Sequence, residues 1–250
     1  MHILFRFAPV PLVLLFAACT EPQSPPPPAP DSPTYLAPGA RLDPTQLLPP
    51  PPAPGSLAQA ADIHAFQTAS TTAPAFAAAA SLAGVRTPAF QQALSCALGL
   101  TLSEEQTPAL RRLLARTSED MRALTDPAQA HFARPRPFTN PAESCDPAAA
   151  SLGPSYPSGQ AATGWLWALA LSDAVPARHQ ALLAFGQMAG DVRATCRAHW
   201  LSDLHAGRLL ATALHGQLSA LPAYKADVDA AAQEAKTAPP VDAALCVLEQ

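Results

Sequence analysis

Apolar side chains recur at helical spacing along most of the chain beyond residue 56. The clearest run follows Ser103-Glu104-Glu105-Gln106, a sequence typical of a helix N-terminus, where such side chains satisfy the first backbone N–H groups. The run predicts a helix that ends at Asp126-Pro127, because proline disfavours helical backbone in the residue before it. The apolar face of this helix consists of Leu110, Leu113, Leu114, Met121 and Leu124.

The rest of this region is also predicted to be helical. Alanine and leucine dominate it, and no segment alternates apolar and polar residues with the period of a strand. Residues 56–85 predict two helices with a break at residues 70–74. Further helices are expected over residues 161–171, 176–188, 202–218, 223–236 and 241–248. The predicted fold class is therefore all-α, a compact helical bundle.

Proline divides the chain into regions. Fourteen of the 30 prolines lie in residues 20–55, where they favour extended backbone over helix. We therefore expect a proline-rich tether over residues 19–55 and a helical domain over residues 56–250; the proline runs could instead bind a partner domain. Prolines cluster again in residues 139–158, which predicts an ordered or covalently held loop.

The N-terminus resembles a targeting segment. Residues 1–18 are apolar, carry Arg6 near their start and end in small residues, a pattern typical of an export signal. The stretch is too short and interrupted for a membrane-spanning helix, which needs about 20 apolar residues. Phe16-Ala17-Ala18-Cys19 resembles the lipid-attachment box of bacterial lipoproteins. We expect a periplasmic protein that is anchored to a membrane only by a lipid on Cys19; the alternative is cleavage nearby and secretion.

Cysteine content and charge exclude some classes of site and partner. Four cysteines remain beyond Cys19, an even number that suits two disulfides in an exported protein, with three pairings open. No Cys-x-x-Cys or His–Cys cluster indicates a zinc site. A net charge of −4 lacks the basic excess typical of nucleic-acid-binding proteins. The four residues are Cys96, Cys145, Cys196 and Cys246.

Three polar segments together contain the residue types of a phosphate site. Arg136 and Arg193 carry planar guanidinium groups that suit phosphate oxygens. Ser158 and the backbone N–H of Gly159, at the predicted start of a helix, would add donors where the helix dipole favours an anion. The segments are residues 134–138, 155–165 and 190–208.

His199 and Asp203 supply the reactive pair. They are four residues apart, so that on a helix they would share one face. A carboxylate that holds an imidazole in one tautomer lets the histidine act as a nucleophile or a base.

The order and spacing of these elements resemble the bacterial class A non-specific acid phosphatases, of the type 2 phosphatidic acid phosphatase and vanadium haloperoxidase superfamily. The family pattern is K-x6-R-P, then P-S-G-H, then S-R-x5-H-x3-D. Its matches here are Arg136-Pro137, Pro157-Ser158-Gly159, and Arg193, His199 and Asp203 at the same spacing. The likeness covers residues 35–218 and includes the strings HFARPRPF and LLPPPPAPGS.

The resemblance implies a compact helical fold and a two-step reaction that needs no metal and no cofactor. His199 would attack phosphorus, Asp203 would support its imidazole, and water would release the phosphohistidine. The phosphate oxygens would be held by Arg136, Ser158, Gly159 and Arg193.

Three positions depart from the family pattern: Gln129 stands for lysine, Gln160 for histidine and Val192 for serine. The family's histidine protonates the leaving oxygen, which an amide cannot do. Loss of a general acid typically lowers the rate by about 10²–10⁴-fold. Substitutes to consider are His131 or His205 for the acid and Arg197 for the missing lysine charge.

These features predict an acid phosphatase that hydrolyses small phosphomonoesters, with reduced activity and a preference for good leaving groups. The alternative is a pseudophosphatase, a tethered module that binds a phosphorylated ligand or a protein without turnover. A vanadate-dependent peroxidase is disfavoured, because that chemistry also relies on the histidine that Gln160 replaces. The sequence leaves the natural substrate and the oligomeric state open.

Overall fold

The computed structural model describes residues 32–69, 71–72 and 74–246 of the chain. Within these ranges the protein is all-α, as predicted, with no strand. The predicted export signal and Cys19 lie outside the described residues. The helices are α1 (Pro44–Leu47), α2 (Leu57–Thr68), α3 (Pro74–Ser81), α4 (Pro88–Leu98), α5 (Pro108–Phe132), α6 (Gly159–Ala174), α7 (His179–Thr195), α8 (Leu201–Leu218) and α9 (Pro222–Ala235).

Helix α6 forms the centre of the bundle and packs against α5, α7, α8 and α9. Its close approach to α7 depends on small residues: a Cβ atom on Gly186 would lie 2.8 Å from the Cβ of Ala168. One on Gly190 would lie 3.1 Å from the Cβ of Ala161. The helix was predicted to be buried, and no helix in the described part of the chain is long and apolar enough to cross a membrane.

Helix α5 continues past its predicted end. The five apolar residues predicted for its inner face are buried, as expected. However, Pro127 lies inside the helix, which ends only at Phe132. Pro127 removes one backbone hydrogen bond, but Ala128 is fully buried and the Phe132 ring packs edge-on against Tyr156 at 5.1 Å. Tertiary packing thus outweighs the local preference of proline, and the extra turn carries Gln129 to the candidate site.

Helix α4 was not predicted. Its ends nevertheless carry ordinary signals: the Thr87 side chain accepts a hydrogen bond from the Phe90 N–H, and Pro88 is the first helical residue. Gly99 ends the helix in the left-handed region, at φ 81°. Phe90, Ala93, Leu94 and Leu98 also recur at helical spacing and are buried, so both caps and an apolar repeat were available signals.

The C-terminal helix predicted over residues 241–248 is wrong for the residues that the structure describes there. They form only a 3₁₀ turn, Ala243–Cys246. Leu245 is 59% exposed, so no buried apolar face stabilises a longer helix.

The segment before residue 56 packs against the helices. Tyr35, Leu36 and Leu48 are buried in the main apolar core. The backbone N–H groups of Tyr35 and Leu36 donate to the two carboxylate oxygens of Asp120, at 2.6 and 3.2 Å. The packed body therefore starts near residue 35, before the boundary at residue 55 that composition predicted, because a few apolar side chains between the prolines find core positions.

The proline-rich segment of residues 139–158 is an ordered, covalently held loop, as predicted. It contains two 3₁₀ turns, Pro141–Glu143 and Pro147–Ser151. Two disulfides are present, as expected: Cys145–Cys196 ties this loop to the end of α7, and Cys96–Cys246 ties α4 to the C-terminal turn.

Candidate active site

A cavity of about 760 Å³ lies between α5, α6, α7 and the loop before α4. It is far larger than one phosphate group, so an organic leaving group also fits. Of the residues singled out in the sequence, those that line it are Gln129, Arg136, Gly159, Gln160, Arg193 and His199. Ser158 and Asp203 lie fully buried beside it, and Val192 belongs to a separate small apolar cluster.

His199 presents one ring nitrogen to Arg136 and the other to Asp203. Its Nε2 lies 3.0 Å from Arg136 Nη1, and its Nδ1 lies 3.3 Å from Asp203 Oδ2. The residue is only 6% exposed. Burial lowers the pKa of His199 to about 4; Asp203 opposes this change, and the positive charges of Arg193 and Arg136 add to it.

The neighbours of His199 determine its tautomer. A guanidinium group can only donate hydrogen bonds, so Nε2 of His199 must accept from Arg136. The proton of the neutral imidazole therefore sits on Nδ1 and points at the Asp203 carboxylate. This tautomer places the lone pair on Nε2, which becomes free for attack when the Arg136 donor turns to a phosphate oxygen.

The predicted placement of His199 and Asp203 on one helical face is wrong. Helix α8 begins at Leu201, so His199 precedes it and only Asp203 is helical. The two side chains meet because Asp203 caps the helix: its Oδ2 accepts from the Trp200 N–H at 2.9 Å, which turns the carboxylate back toward His199.

Ser158 and Gly159 lie at the N-terminus of α6, as expected. Ser158 is the N-cap residue, and its Oγ accepts from the Ala161 N–H at 3.4 Å. Its own backbone N–H donates to the carbonyl of Asp203 at 3.0 Å, which joins the start of α6 to the start of α8. The N-terminal dipole of α6 therefore points at the cavity, where it favours an anion.

Arg136 and Arg193 approach the cavity from different elements. Arg136 donates to the carbonyls of Gly153 and Ala198, at 3.1 and 2.9 Å. Burial and the nearby charge of Arg193 lower the pKa of Arg136 to about 10. An anion between the two guanidinium groups would relieve this repulsion.

Arg193 is 2% exposed and donates to Asp146 at 2.8 Å and to the Ala83 carbonyl at 2.6 Å. Its Nε is buried and has no hydrogen-bond partner. Arg193 also lines the cavity, where its guanidinium suits a phosphate oxygen.

Gln129 and Gln160, the two glutamines predicted to depart from the resembled pattern, bind backbone carbonyls. Gln129 Nε2 donates to Pro157 at 2.8 Å, and Gln160 Nε2 donates to Leu82 and Ala189 at 3.0 and 3.2 Å. Gln160 therefore ties the start of α6 to the loop before α4 and to α7, and its amide has no acidic proton to give.

The residues considered as substitutes for the general acid and for the lysine charge lie outside the cavity. His131 and His205 are exposed, and neither lines the cavity. Arg197 does not line it either: its guanidinium lies over the Phe66 ring at 4.0 Å. Arg197 has φ 58°, in the left-handed region that favours glycine.

Sequence reasoning assigned no role to Arg134 or to Asp62, although both lie directly behind the site. Arg134 Nη1 donates to Asp203 Oδ1 at 2.6 Å, and its Nη2 donates to Asp62 at 2.7 Å. Arg134 belongs to the arginine-proline segment that stood out in the sequence, whereas Asp62 gives no local signal. In the described ranges, no group of three or more His, Cys, Asp or Glu side chains is arranged to hold a metal ion.

Comparison with known proteins finds similarity to acid phosphatases. Residues 122–226 match the model of the PAP2 superfamily. An acid phosphatase of Zymomonas mobilis is 33% identical over 168 residues, which cover 62% of each chain. A non-specific acid phosphatase of Providencia stuartii is 33% identical over 147 residues, and one of Salmonella typhimurium is 45% identical over 71 residues.

The aligned regions span 62%, 59% and 28% of the lengths of these three relatives, and 62%, 57% and 28% of this chain. The superfamily match begins on α5 and ends on α9, so it contains Arg136, Ser158, Arg193, His199 and Asp203. Residues 122–226 are therefore similar to the PAP2 superfamily, and the aligned parts of the chain are similar to bacterial acid phosphatases.

Proposed function

We propose that this protein is a phosphatase that hydrolyses phosphomonoesters through a phosphohistidine intermediate on His199. The observation that carries the proposal is the position of the two ring nitrogens of His199. Asp203 fixes its Nδ1, while its Nε2 faces Arg136 at the edge of a cavity that also exposes Arg193. Named acid phosphatases among the relatives support the same chemistry.

The first step transfers the phosphoryl group to the protein. Nε2 of His199 attacks phosphorus, the bond to the ester oxygen breaks, and that oxygen leaves with the electron pair of the bond, as an anion that takes a proton from water. Arg136, Arg193 and the N-terminus of α6 hold the three non-bridging oxygens, where negative charge must be stabilised.

The second step returns the histidine to its initial state. Water attacks the phosphohistidine, the N–P bond breaks, and phosphate is released. Asp203 stabilises the positive charge that the imidazole carries while it is phosphorylated. No metal takes part in either step as proposed.

Gln160 restricts which esters react at a useful rate. Because its amide donates no proton, the leaving oxygen must depart as an anion or take its proton from water. We propose reduced activity on alkyl phosphates and better activity on phosphates whose leaving group is a stable anion, such as aryl phosphates.

We also propose that the protein works in the periplasm, where a lipid on Cys19 holds it to a membrane. The apolar leader, the box Phe16-Ala17-Ala18-Cys19 and the two disulfides support this location. Small phosphomonoesters are the proposed substrates.

Hydrolysis of p-nitrophenyl phosphate by the purified protein between pH 4 and 8 tests the proposal. Its activated leaving group needs little protonation, so it suits a phosphatase that lacks a general acid. We expect turnover that vanadate inhibits and that His199→Ala abolishes. A folded protein without turnover would contradict the proposal and favour the pseudophosphatase, a module that binds phosphorylated ligands or a protein.

A further inference from the structure

A buried cluster of three charged side chains lies behind the candidate nucleophile. Arg134 bridges Asp62 of α2 and Asp203 of α8, with N–O distances of 2.7 and 2.6 Å. The side chains are 10%, 3% and 0% exposed, in the order Arg134, Asp62, Asp203. Isolated charges at such depth are costly, so the cluster persists only because each charge has partners.

Ser202 completes the cluster at the start of α8. Its N–H donates to Asp62 Oδ1 at 2.9 Å and its Oγ donates to Asp62 Oδ2 at 2.5 Å. Arg134 Nη1 lies 2.6 Å from the same Oγ. Both carboxylates thus sit at a helix N-terminus, where the dipole favours negative charge.

The two carboxylate oxygens of Asp203 have different hydrogen-bond partners. Oδ1 accepts from Arg134, whereas Oδ2 accepts from the Trp200 N–H and from His199 Nδ1. With Oδ1 held, the carboxylate cannot rotate away from the imidazole. Arg134 does not line the cavity of the candidate site.

We infer that Arg134, anchored by Asp62, is a positioning residue that holds the Asp203 carboxylate in the orientation in which it binds Nδ1 of His199 and leaves Nε2 unprotonated. The inference rests on the proposed function for its catalytic meaning. Its physical content, the protonation state of His199, is measurable without turnover.

The charges around His199 determine in which direction its pKa changes when Arg134 is removed. Asp203 on α8 favours the imidazolium, while Arg136 before α6 and Arg193 on α7 disfavour it. Arg134 neutralises part of the Asp203 charge through Oδ1. Without Arg134, that carboxylate attracts the imidazolium more strongly, and the pKa of His199 rises.

Arg134→Met removes the charge while it keeps an unbranched side chain, and Arg134→Lys keeps the charge but cannot bridge both carboxylates. The matched control is Arg116→Met. Arg116 is similarly buried, at 8% exposure, and pairs with Asp227 at 2.9 Å, but it contacts none of the site residues. The control reports the effect of losing a buried cation on stability alone.

Two readouts apply to the full protein. ¹⁵N NMR of labelled histidine gives the tautomer and the titration of His199, and the pH profile of kcat/KM gives the acidic limb of activity. For Arg134→Met we expect two midpoints to rise by about one pH unit or more: that of the acidic limb of kcat/KM and that of the His199 titration. We also expect kcat to fall about 10²-fold and KM to change little. Arg134→Lys should give an intermediate loss and little movement of the limb.

Arg116→Met should lower thermal stability yet leave both readouts unchanged. A folded Arg134→Met, or Arg134→Lys if the first variant fails to fold, with the tautomer, kcat and pH limb of the wild type would overturn the inference and leave Arg134 as an anchor for α2. If the wild type shows no turnover, the proposed function fails separately, and the NMR titration still decides the role of Arg134.

Discussion

The backbone of Ser158 lies directly against Gly207. A Cβ atom on Gly207 would lie 2.6 Å from the Ser158 carbonyl oxygen and 3.1 Å from the Ala162 nitrogen. Both are backbone atoms, so neither can swing aside as the end of a side chain would. The N-terminus of α6 supplies donors to the candidate phosphate site. It can approach α8 this closely only because residue 207 is a glycine.

Gly207→Ala should consequently damage both stability and activity. The added methyl group must push the start of α6 away from α8, at a cost of about 1–3 kcal/mol in the free energy of unfolding. We expect a raised KM for p-nitrophenyl phosphate, because Ser158 and Gly159 move. Chemical denaturation and steady-state kinetics measure the two effects.

Gly216→Ala is the matched control on the same helix. A Cβ at Gly216 meets nothing within 4 Å, so alanine should stabilise α8 by about 0.5–1 kcal/mol and leave the kinetics unchanged. Equal behaviour of the two variants would show that the approach of Ser158 to Gly207 does not position the site.

Gln160→His should restore a general acid. We expect a rate increase of up to about 10²–10⁴-fold for alkyl phosphates and a much smaller one for aryl phosphates, whose leaving groups need no proton. The measurement is kcat/KM against leaving-group pKa for wild type and variant. The slope should become shallower in Gln160→His.

Gln160→Ala controls for the hydrogen bonds that Gln160 makes to Leu82 and Ala189. This variant loses those bonds without gaining an acid, so its slope should match that of the wild type. A histidine variant with the same slope as the alanine variant would contradict the assignment of position 160 to leaving-group protonation.

The acidic limb of the pH profile should reflect the lowered pKa of His199. Burial places that pKa near 4, below the ordinary value of 6.5, so the imidazole stays neutral through pH 5. As the pH falls through about 4, protonation of Nε2 removes the nucleophile and kcat/KM should drop. A limb near 6.5 in kcat/KM, after correction for ionisation of the substrate, would be inconsistent with the buried geometry.

The disulfide Cys145–Cys196 should affect substrate binding. Cys145 precedes Asp146, the partner of Arg193, and Cys196 follows Arg193 by three residues. Replacing both cysteines by serine should free the loop and raise KM about tenfold, a change of about 1.4 kcal/mol. Steady-state kinetics on the oxidised protein and the variant measure this change.

The second disulfide provides the comparison. Replacing Cys96 and Cys246 by serine should cost stability, about 2–5 kcal/mol, without a change in KM, because that bridge lies at the far end of α4. A KM unaffected by either replacement would mean that Asp146 holds Arg193 without the help of the bridge.

Sequence reasoning was most successful for residues whose side-chain chemistry and spacing in the sequence both pointed to a phosphate site. Arg136, Arg193 and His199 were selected from ordered segments, and the structure brings all three to one cavity. The all-α fold followed from apolar spacing, which depends on local geometry alone.

The rest depends on contacts between distant residues. Asp62 lies 72 residues before Arg134 and 140 before Ser202, and no local pattern marks it as a partner of either. Pro127 was expected to end α5, but burial of Ala128 overrides it. Burial of Tyr35 depends likewise on tertiary partners, since Asp120 and Asp227, which bind its backbone N–H and its hydroxyl, lie 85 and 192 residues away.

Trapping of the phosphorylated protein tests the central claim most directly. The purified protein is mixed with p-nitrophenyl phosphate, quenched in alkali, where phosphohistidine is stable, and digested for mass spectrometry. We predict one phosphoryl group on His199 during turnover and none in His199→Ala. Steady turnover with an unmodified His199, or with the phosphoryl group on another residue, would contradict the account.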